Sequence, residues 1–248
     1  MLQLPRRLLV SMLLAWSILG LTPACAGMAQ AWAEQLPLPP NLIALDSQEG
    51  KRLLFESEVS TAYFPLSEQF VTQQNQAFCG VASLVMVLNA LHLPAPASAE
   101  LAPFAAFDQQ NIFTAQAEAA VSRTVIEENG MTLDQLGALA RASGLQAEVH
   151  HAADSNLDTF RKQAIARLGT PDQYVLVNFL RTAIGQEKYG HISPLAAYDA
   201  QSDRFLLLDV SRYKYPPIWV SAKELFAAMN TVDSSNQSRS RGYVEITR

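Results

Sequence analysis

Three side chains of this sequence have the types and surroundings that nucleophilic catalysis requires: a cysteine at the head of an apolar helix, a histidine opening a strand, and an aspartate closing a hydrophobic run. Cys79 stands in Phe78-Cys79-Gly80, followed by Val81, Leu84, Val85, Leu88 and Leu91 at three- and four-residue spacing, with Pro94 beyond. That period predicts a helix burying one face, and it puts the sulfur at the positive end of the helix dipole, which favours the thiolate. Taken alone, such a cysteine is more often a small buried hydrophobe than a nucleophile.

A catalytic reading needs a base and a group to steer it. Gly190-His191 opens a β-rich run, and Asp209 follows Phe205-Leu-Leu-Leu, where a carboxylate is expensive unless paired. The two lie 18 residues apart, and adjacent antiparallel strands turning near Asp199 to Asp203 would bring them side by side. Gln73, six residues before Cys79, is placed to offer its amide, with the Cys79 backbone N–H, to the oxygen of an attacked carbonyl. A core histidine, a turn-capping aspartate and a polar loop glutamine are the alternatives one by one; jointly they explain less.

The elements that must position these groups divide the chain into a helical part and a sheet part. Residues 103–168 carry helical pattern at 115–128, from a capping-box sequence at Thr132-Leu-Asp-Gln135, and at 157–168. Runs 174–180, 192–198 and 205–210 are short, β-rich and separated by turn residues. Helices first and strands later predict an α+β fold with a cleft between the halves. Residues 34–50, rich in Pro and Leu, read as a linker or surface arm.

The 248 residues are 49% hydrophobic and 17% charged, enough apolar material for a packed core. Arg6-Arg7, the apolar run from Leu8 to Leu21 and Ala31-Trp32-Ala33 have the form of a signal peptide over residues 1–33, so a mature chain of 34–248, exported to a periplasm, is expected. The run is shorter than a spanning helix requires, and Thr22-Pro23-Ala24 suits lipid attachment at Cys25 poorly. Losing Arg6 and Arg7 takes the net charge from −5 to about −7, which argues against nucleic acid and anionic membrane partners. Cys79 is then the sole mature thiol, an awkward residue to keep in an oxidising compartment unless it is buried or used. No metal ligand set is read: His150 and His151 are adjacent, lack a cysteine or second histidine at ligand spacing, and read as surface or loop residues, as does His92 at a helix end. The aromatic stretch from Tyr213 to Trp219 reads as a pocket wall.

The blocks around these residues resemble the phytochelatin synthase family: Phe64-Pro-Leu-Ser and Gln73-Gln-Asn-Gln-Ala-Phe-Cys79-Gly-Val-Ala-Ser83 at the nucleophile, then Val177-Asn-Phe-Leu-Arg181, Gly190-His-Ile-Ser-Pro194 and Asp209-Val-Ser-Arg-Tyr-Lys-Tyr-Pro-Pro-Ile-Trp-Val220. The likeness runs from about residue 63 to 243. It implies a papain-like fold, with Cys79 as nucleophile, His191 as base and acid, Asp209 as orienter and Gln73 as oxyanion donor. It also implies that Asn178 and Arg181 line a glutathione pocket and that Arg241 holds a substrate carboxylate.

The activity implied is that of a glutathione γ-glutamylcysteinyltransferase, cleaving glycine from glutathione through a γ-glutamylcysteinyl enzyme. The sequence carries no cysteine-rich C-terminal region of the eukaryotic kind, so hydrolysis is expected ahead of phytochelatin synthesis. No covalent cofactor is expected; cadmium or zinc would act through the metal–glutathione thiolate as substrate. Glutathione or another γ-glutamyl peptide is the expected partner, with a homodimer left open. Two other readings are a papain-like peptidase that cleaves leader peptides, which shares a Gln before Cys-Gly, and a non-enzymatic periplasmic protein that binds metal or thiol.

Overall fold

A computed structural model describes residues 35–97 and 101–248; the expected signal peptide and Cys25 lie outside the described residues. The helices are α1 (Gln48–Glu56), α2 (Tyr63–Glu68), α3 (Cys79–Ala90), α4 (Ala115–Ala120), α5 (Arg123–Asn129), α6 (Leu133–Ala142), α7 (Leu157–Leu168) and α8 (Ala222–Met229). The strands are β1 (Ile43–Ala44), β2 (Gln146–His151), β3 (Gln173–Leu180), β4 (Gly190–Asp199), β5 (Arg204–Leu207), β6 (Ile218–Ser221) and β7 (Gly242–Thr247). The strands form one antiparallel sheet in the order β1-β6-β5-β4-β3-β7-β2. This is an α+β fold consistent with a papain-like arrangement.

Helix α3 is the centre of the molecule. The apolar spacing predicts one buried face, but every residue of α3 except Asn89 is buried, including Gly80 and Ser83. A helix apolar all round belongs inside. It packs on β3 and β4, and α7 and α8 pack on β3 as well, so Tyr174 to Phe179 are buried at successive positions. Burial on both faces explains why β3 reads as a continuous apolar run and not as an alternating one.

Local chemistry sets several boundaries. The capping box predicted at Thr132 is formed, with Gln135 N donating to Thr132 Oγ1 and Thr132 N to Gln135 Oε1. Asn156 caps α7, whose bounds match the expected 157–168. The single helix expected at 115–128 is two, because the chain turns extended at Val121 and Ser122 before α5 begins.

Residues 35–50 pack against the sheet as an arm, one of the two readings of 34–50, and add an edge strand: Ile43 and Ala44 pair with Trp219 and Ile218, Ser47 caps α1, and Trp219 Nε1 donates to Gly50 O at 3.0 Å. One expectation about organisation is corrected: the strands are not confined to the second half, since β2, from the middle of the chain, forms one edge of the sheet against β7. No helix among the described residues is long and apolar enough to cross a membrane.

Candidate active site

The nucleophile end of α3 and the opening of β4 are pinned together. Ser83 Oγ donates to Cys79 O at 2.8 Å and lies 3.2 Å from Ile192 O, tying the first helical turn to the residue after His191. Gly80 permits the approach: a Cβ there would stand 2.8 Å from Met131 Sδ and 3.1 Å from Ile192 Cδ1. The Cys79 sulfur is therefore held next to β4, and Cys79 and His191 line one cavity of about 560 Å³.

The antiparallel pairing of β4 with β5 brings His191 and Asp209 together as the spacing predicts. Leu195 stands opposite Leu207, Leu208 N donates to Pro194 O, and His191 Nε2 lies 2.8 Å from Asp209 Oδ1. Asp209 sits two residues past the end of β5, fully buried. With Nε2 committed to the carboxylate, Nδ1 is the ring nitrogen left for the thiol. Phe179, paired with His191 across β3 and β4, sets its ring edge-on at 5.7 Å and fixes the imidazole plane.

Two serines not singled out in the sequence complete the arrangement. Ser193 Oγ lies 2.9 Å from His191 Nε2, because residues two apart on a strand share a face. Ser211 donates its backbone N–H to Asp209 Oδ1 at 2.8 Å and its hydroxyl to Gln73 Oε1 at 2.6 Å. Gln73 Nε2 donates one hydrogen to Asn75 O at 2.7 Å, and Gln73 N bonds Val210 O at 2.9 Å. The amide orientation is thus fixed from the oxygen side, leaving Nε2 with a second hydrogen. The signal in the sequence is the i+2 relation of Ser193 to His191, which matters only once β4 is known to be a strand, and of Ser211 to Asp209, which is a local turn bond past the end of β5.

Arg181 lines the cavity, as the resemblance implies, but its guanidinium is committed to Asp209 and Gln186. It begins a short 3-10 turn after β3, and its side chain is 4% exposed. Its NH1 lies 2.8 Å from Asp209 Oδ2, its NH2 donates to Oδ1 at 2.9 Å, it bonds Gln186, and it stacks over Tyr215 at 5.2 Å. Asn178 is buried at the cavity, and Arg241 lines it while donating to Val232 O at 2.6 Å and Thr231 Oγ1 at 3.2 Å, with Asp233 at 3.7 Å. Arg241 Nε is buried without a partner among the described residues. Of the expected aromatic wall, Tyr213 lines the cavity and Tyr215 backs Arg181, whereas Trp219 belongs to the core.

The electrostatics describe a neutral resting pair. Burial pushes the Cys79 thiol up, against the pull of the Ile192 and Gly80 amides and the Arg181 charge. Burial first, and Arg181 second, lower His191 to about 4, although Asp209 pulls the other way. Burial opposes ionisation of Asp209 too, but His191 and Arg181 more than offset it and hold the carboxyl well below the usual range. The helix dipole alone predicts an ionised sulfur; in this fold desolvation outweighs it.

His151, expected at the surface, is buried, with Nδ1 against Ser240 O and Nε2 3.0 Å from Asp134 Oδ1. It ties the end of β2 to the start of α6.

The model of the family described as phytochelatin synthase matches residues 33–243. A protein of Lotus japonicus named glutathione gamma-glutamylcysteinyltransferase 1 is 35% identical over 89% of this chain and 43% of its own length. The Arabidopsis thaliana protein of the same name is 34% identical over 89% of the chain and 44% of its own length, and the Schizosaccharomyces pombe glutathione gamma-glutamylcysteinyltransferase is 33% identical over 84% and 49%. The chain thus spans less than half the length of these relatives. A family model covering nearly all of residues 35–248, laid over a buried Cys79 that shares a cavity with the His191–Asp209 pair, places this chain in the phytochelatin synthase family.

Proposed function

We propose that the protein is a cysteine-dependent γ-glutamylcysteinyltransferase acting on glutathione. The observation that carries this reading is the His191 Nε2 to Asp209 Oδ1 contact of 2.8 Å beside a cavity that also contains Cys79. That geometry leaves Nδ1 to take the thiol proton as the sulfur attacks the cysteinyl–glycine carbonyl. The second Nε2 hydrogen of Gln73 and the Cys79 N–H receive the oxyanion. His191 then gives its proton to the departing glycine amine, leaving γ-glutamylcysteine on the sulfur as a thioester.

The cavity lining suits a zwitterionic tripeptide. Arg241, Lys188 and Lys214 offer charge to carboxylates, and Glu127, Glu128 and Asp233 offer it to an α-amine, while Asn178 supplies an amide. Arg181 acts one step back, through Asp209. Water is the favoured acceptor in this reading, reaching the buried Cys79 through the cavity that the exposed Tyr189 and Tyr213 line. A second glutathione in that role would give a phytochelatin. Cadmium or zinc enters as the metal–glutathione thiolate, a form of the substrate. The leader-like first 33 residues support work outside the cytosol, which sequencing the N-terminus of secreted protein would test by a start near Glu34.

Incubation with glutathione is expected to release glycine and γ-glutamylcysteine, and Cys79→Ala to release neither. Undiminished glycine release by that variant, or turnover of longer peptides with none of glutathione, would overturn the reading.

A further inference from the structure

Away from the catalytic cavity, the β2–β7 edge gathers three ligand-type side chains that the spacing of histidines and cysteines in the sequence does not reveal. Glu148 and Glu245 stand directly opposite each other across the two strands, and His150, two residues after Glu148, shares its face. His150 Nε2 lies 3.8 Å from Glu148 Oε2 and 3.8 Å from Glu245 Oε2. One ligand atom from each of the three lies within 4.8 Å of the others, the one such group of three among the described residues.

Two of these side chains carry atoms without a hydrogen-bond partner among the described residues. Glu245 is 3% exposed, and Arg167 holds its Oε2 at 2.8 and 2.9 Å, but Oε1 accepts no hydrogen bond. His150 Nε2 is likewise shielded from water and makes no hydrogen bond. Buried polar atoms without partners need an explanation, and here one lies on each of two neighbouring side chains. The His150 ring lies flat on Tyr243 at 4.7 Å and 15°, which fixes its orientation in advance.

We propose that Glu148, His150 and Glu245 form a binding site for a zinc-class divalent cation that clips edge strand β2 to β7. One imidazole and two carboxylates are a ligand set that zinc accepts, with the fourth position open to water on the Glu148 side, where that side chain is 69% exposed. Bonds of about 2.0–2.2 Å set tetrahedral ligand atoms about 3.3–3.5 Å apart, so modest side-chain rotations close the site. The two negative charges, partly balanced by Arg167, favour a dication over a monocation.

The test uses Cys79→Ala protein, which removes the thiol as a competing ligand, titrated with zinc chloride against a chromophoric chelator in the absence of glutathione. One equivalent of zinc is expected to bind and to raise the thermal midpoint. In that background, His150→Phe, which keeps the ring on Tyr243, is expected to weaken binding at least ~100-fold and abolish the thermal shift. Glu148→Gln, an exposed change that leaves the Arg167–Glu245 pair intact, provides the same reading should His150→Phe fold poorly. Absence of zinc binding to the Cys79→Ala protein, or unaltered affinity in either variant, would overturn the proposal.

Discussion

Arg181 and Asp209 form a buried ion pair, Nη1 to Oδ2 at 2.8 Å, beside His191, which lines the same cavity as Cys79. Asp209 is therefore answerable to two cations when His191 is protonated and to one when it is not, and the arginine keeps the carboxylate charged throughout. An arginine so committed is proposed to position Asp209 and His191, although it also lines the cavity.

That placement separates two roles by experiment. Arg181→Met leaves Asp209 buried and unmatched, and the expected loss of stability is about 3–5 kcal/mol, read by chemical denaturation. An arginine that only holds a substrate carboxylate would raise KM and leave stability unchanged, so that pattern would contradict the assignment.

The acid limb of activity follows from His191. As a base it must be neutral, and with its pKa lowered to about 4, kcat/KM is expected to hold from neutral pH downward and to fall only as pH drops through about 4. Because Arg181 is one cause of the depression, Arg181→Met should move the limb up toward the ordinary 6.5. An unmoved limb in the variant, or a wild-type limb at 6.5, would count against this electrostatic picture.

The same shift acts on stability. The unfolded chain takes up the histidine proton near 6.5 and the folded chain only near 4, so stability falls as pH is lowered between those values. Asp209, depressed in the fold, contributes stability above the ordinary carboxylate range that is lost as pH falls below it. Denaturation midpoints measured from pH 7 to pH 4 should decline for the wild type and decline less for His191→Phe.

Gln73 is predicted to act on the transition state. Gln73→Ala should lower kcat by roughly 10²–10³-fold with little change in KM, the pattern of a lost oxyanion donor. Ser211→Ala removes the bond that fixes the amide and should give a smaller fall of the same kind.

The backbone approach at Gly242 gives a prediction about the fold. A Cβ there would stand 1.9 Å from His150 O, so Gly242→Ala must push β2 away from β7 at the residue beside Arg241. Thermal unfolding should show a marked drop in midpoint, whereas Gly130→Ala, where nothing lies within 4 Å, should show only the smaller strain of its positive φ.

The placement of Cys79, His191 and Asp209 was legible in the sequence because each marks an element boundary: a helix start after Phe78, a strand start at Gly190, and the end of an apolar strand before Asp209. Element pairing then followed from two β-rich runs joined by a short turn. What could not be read was long-range. The edge strands β1 and β2 are too short or too polar to announce themselves, and β7 lies in a stretch whose pattern has meaning only once β3 is beside it. The role of Arg181 escaped for the same reason: a lone arginine after a strand looks like a surface residue until the fold buries it against a carboxylate. The thiol's raised pKa depends on packing around α3, which no local motif encodes.

Cys79 is proposed to carry the γ-glutamylcysteinyl group between donor and acceptor. Rapid acid quenching of enzyme mixed with glutathione, followed by mass spectrometry of its peptides, reads that intermediate. One γ-glutamylcysteinyl adduct is expected on the peptide containing Cys79, absent in Cys79→Ala and accumulating in step with the first glycine released. Glycine release with no adduct at Cys79, or an adduct at another residue, would contradict it.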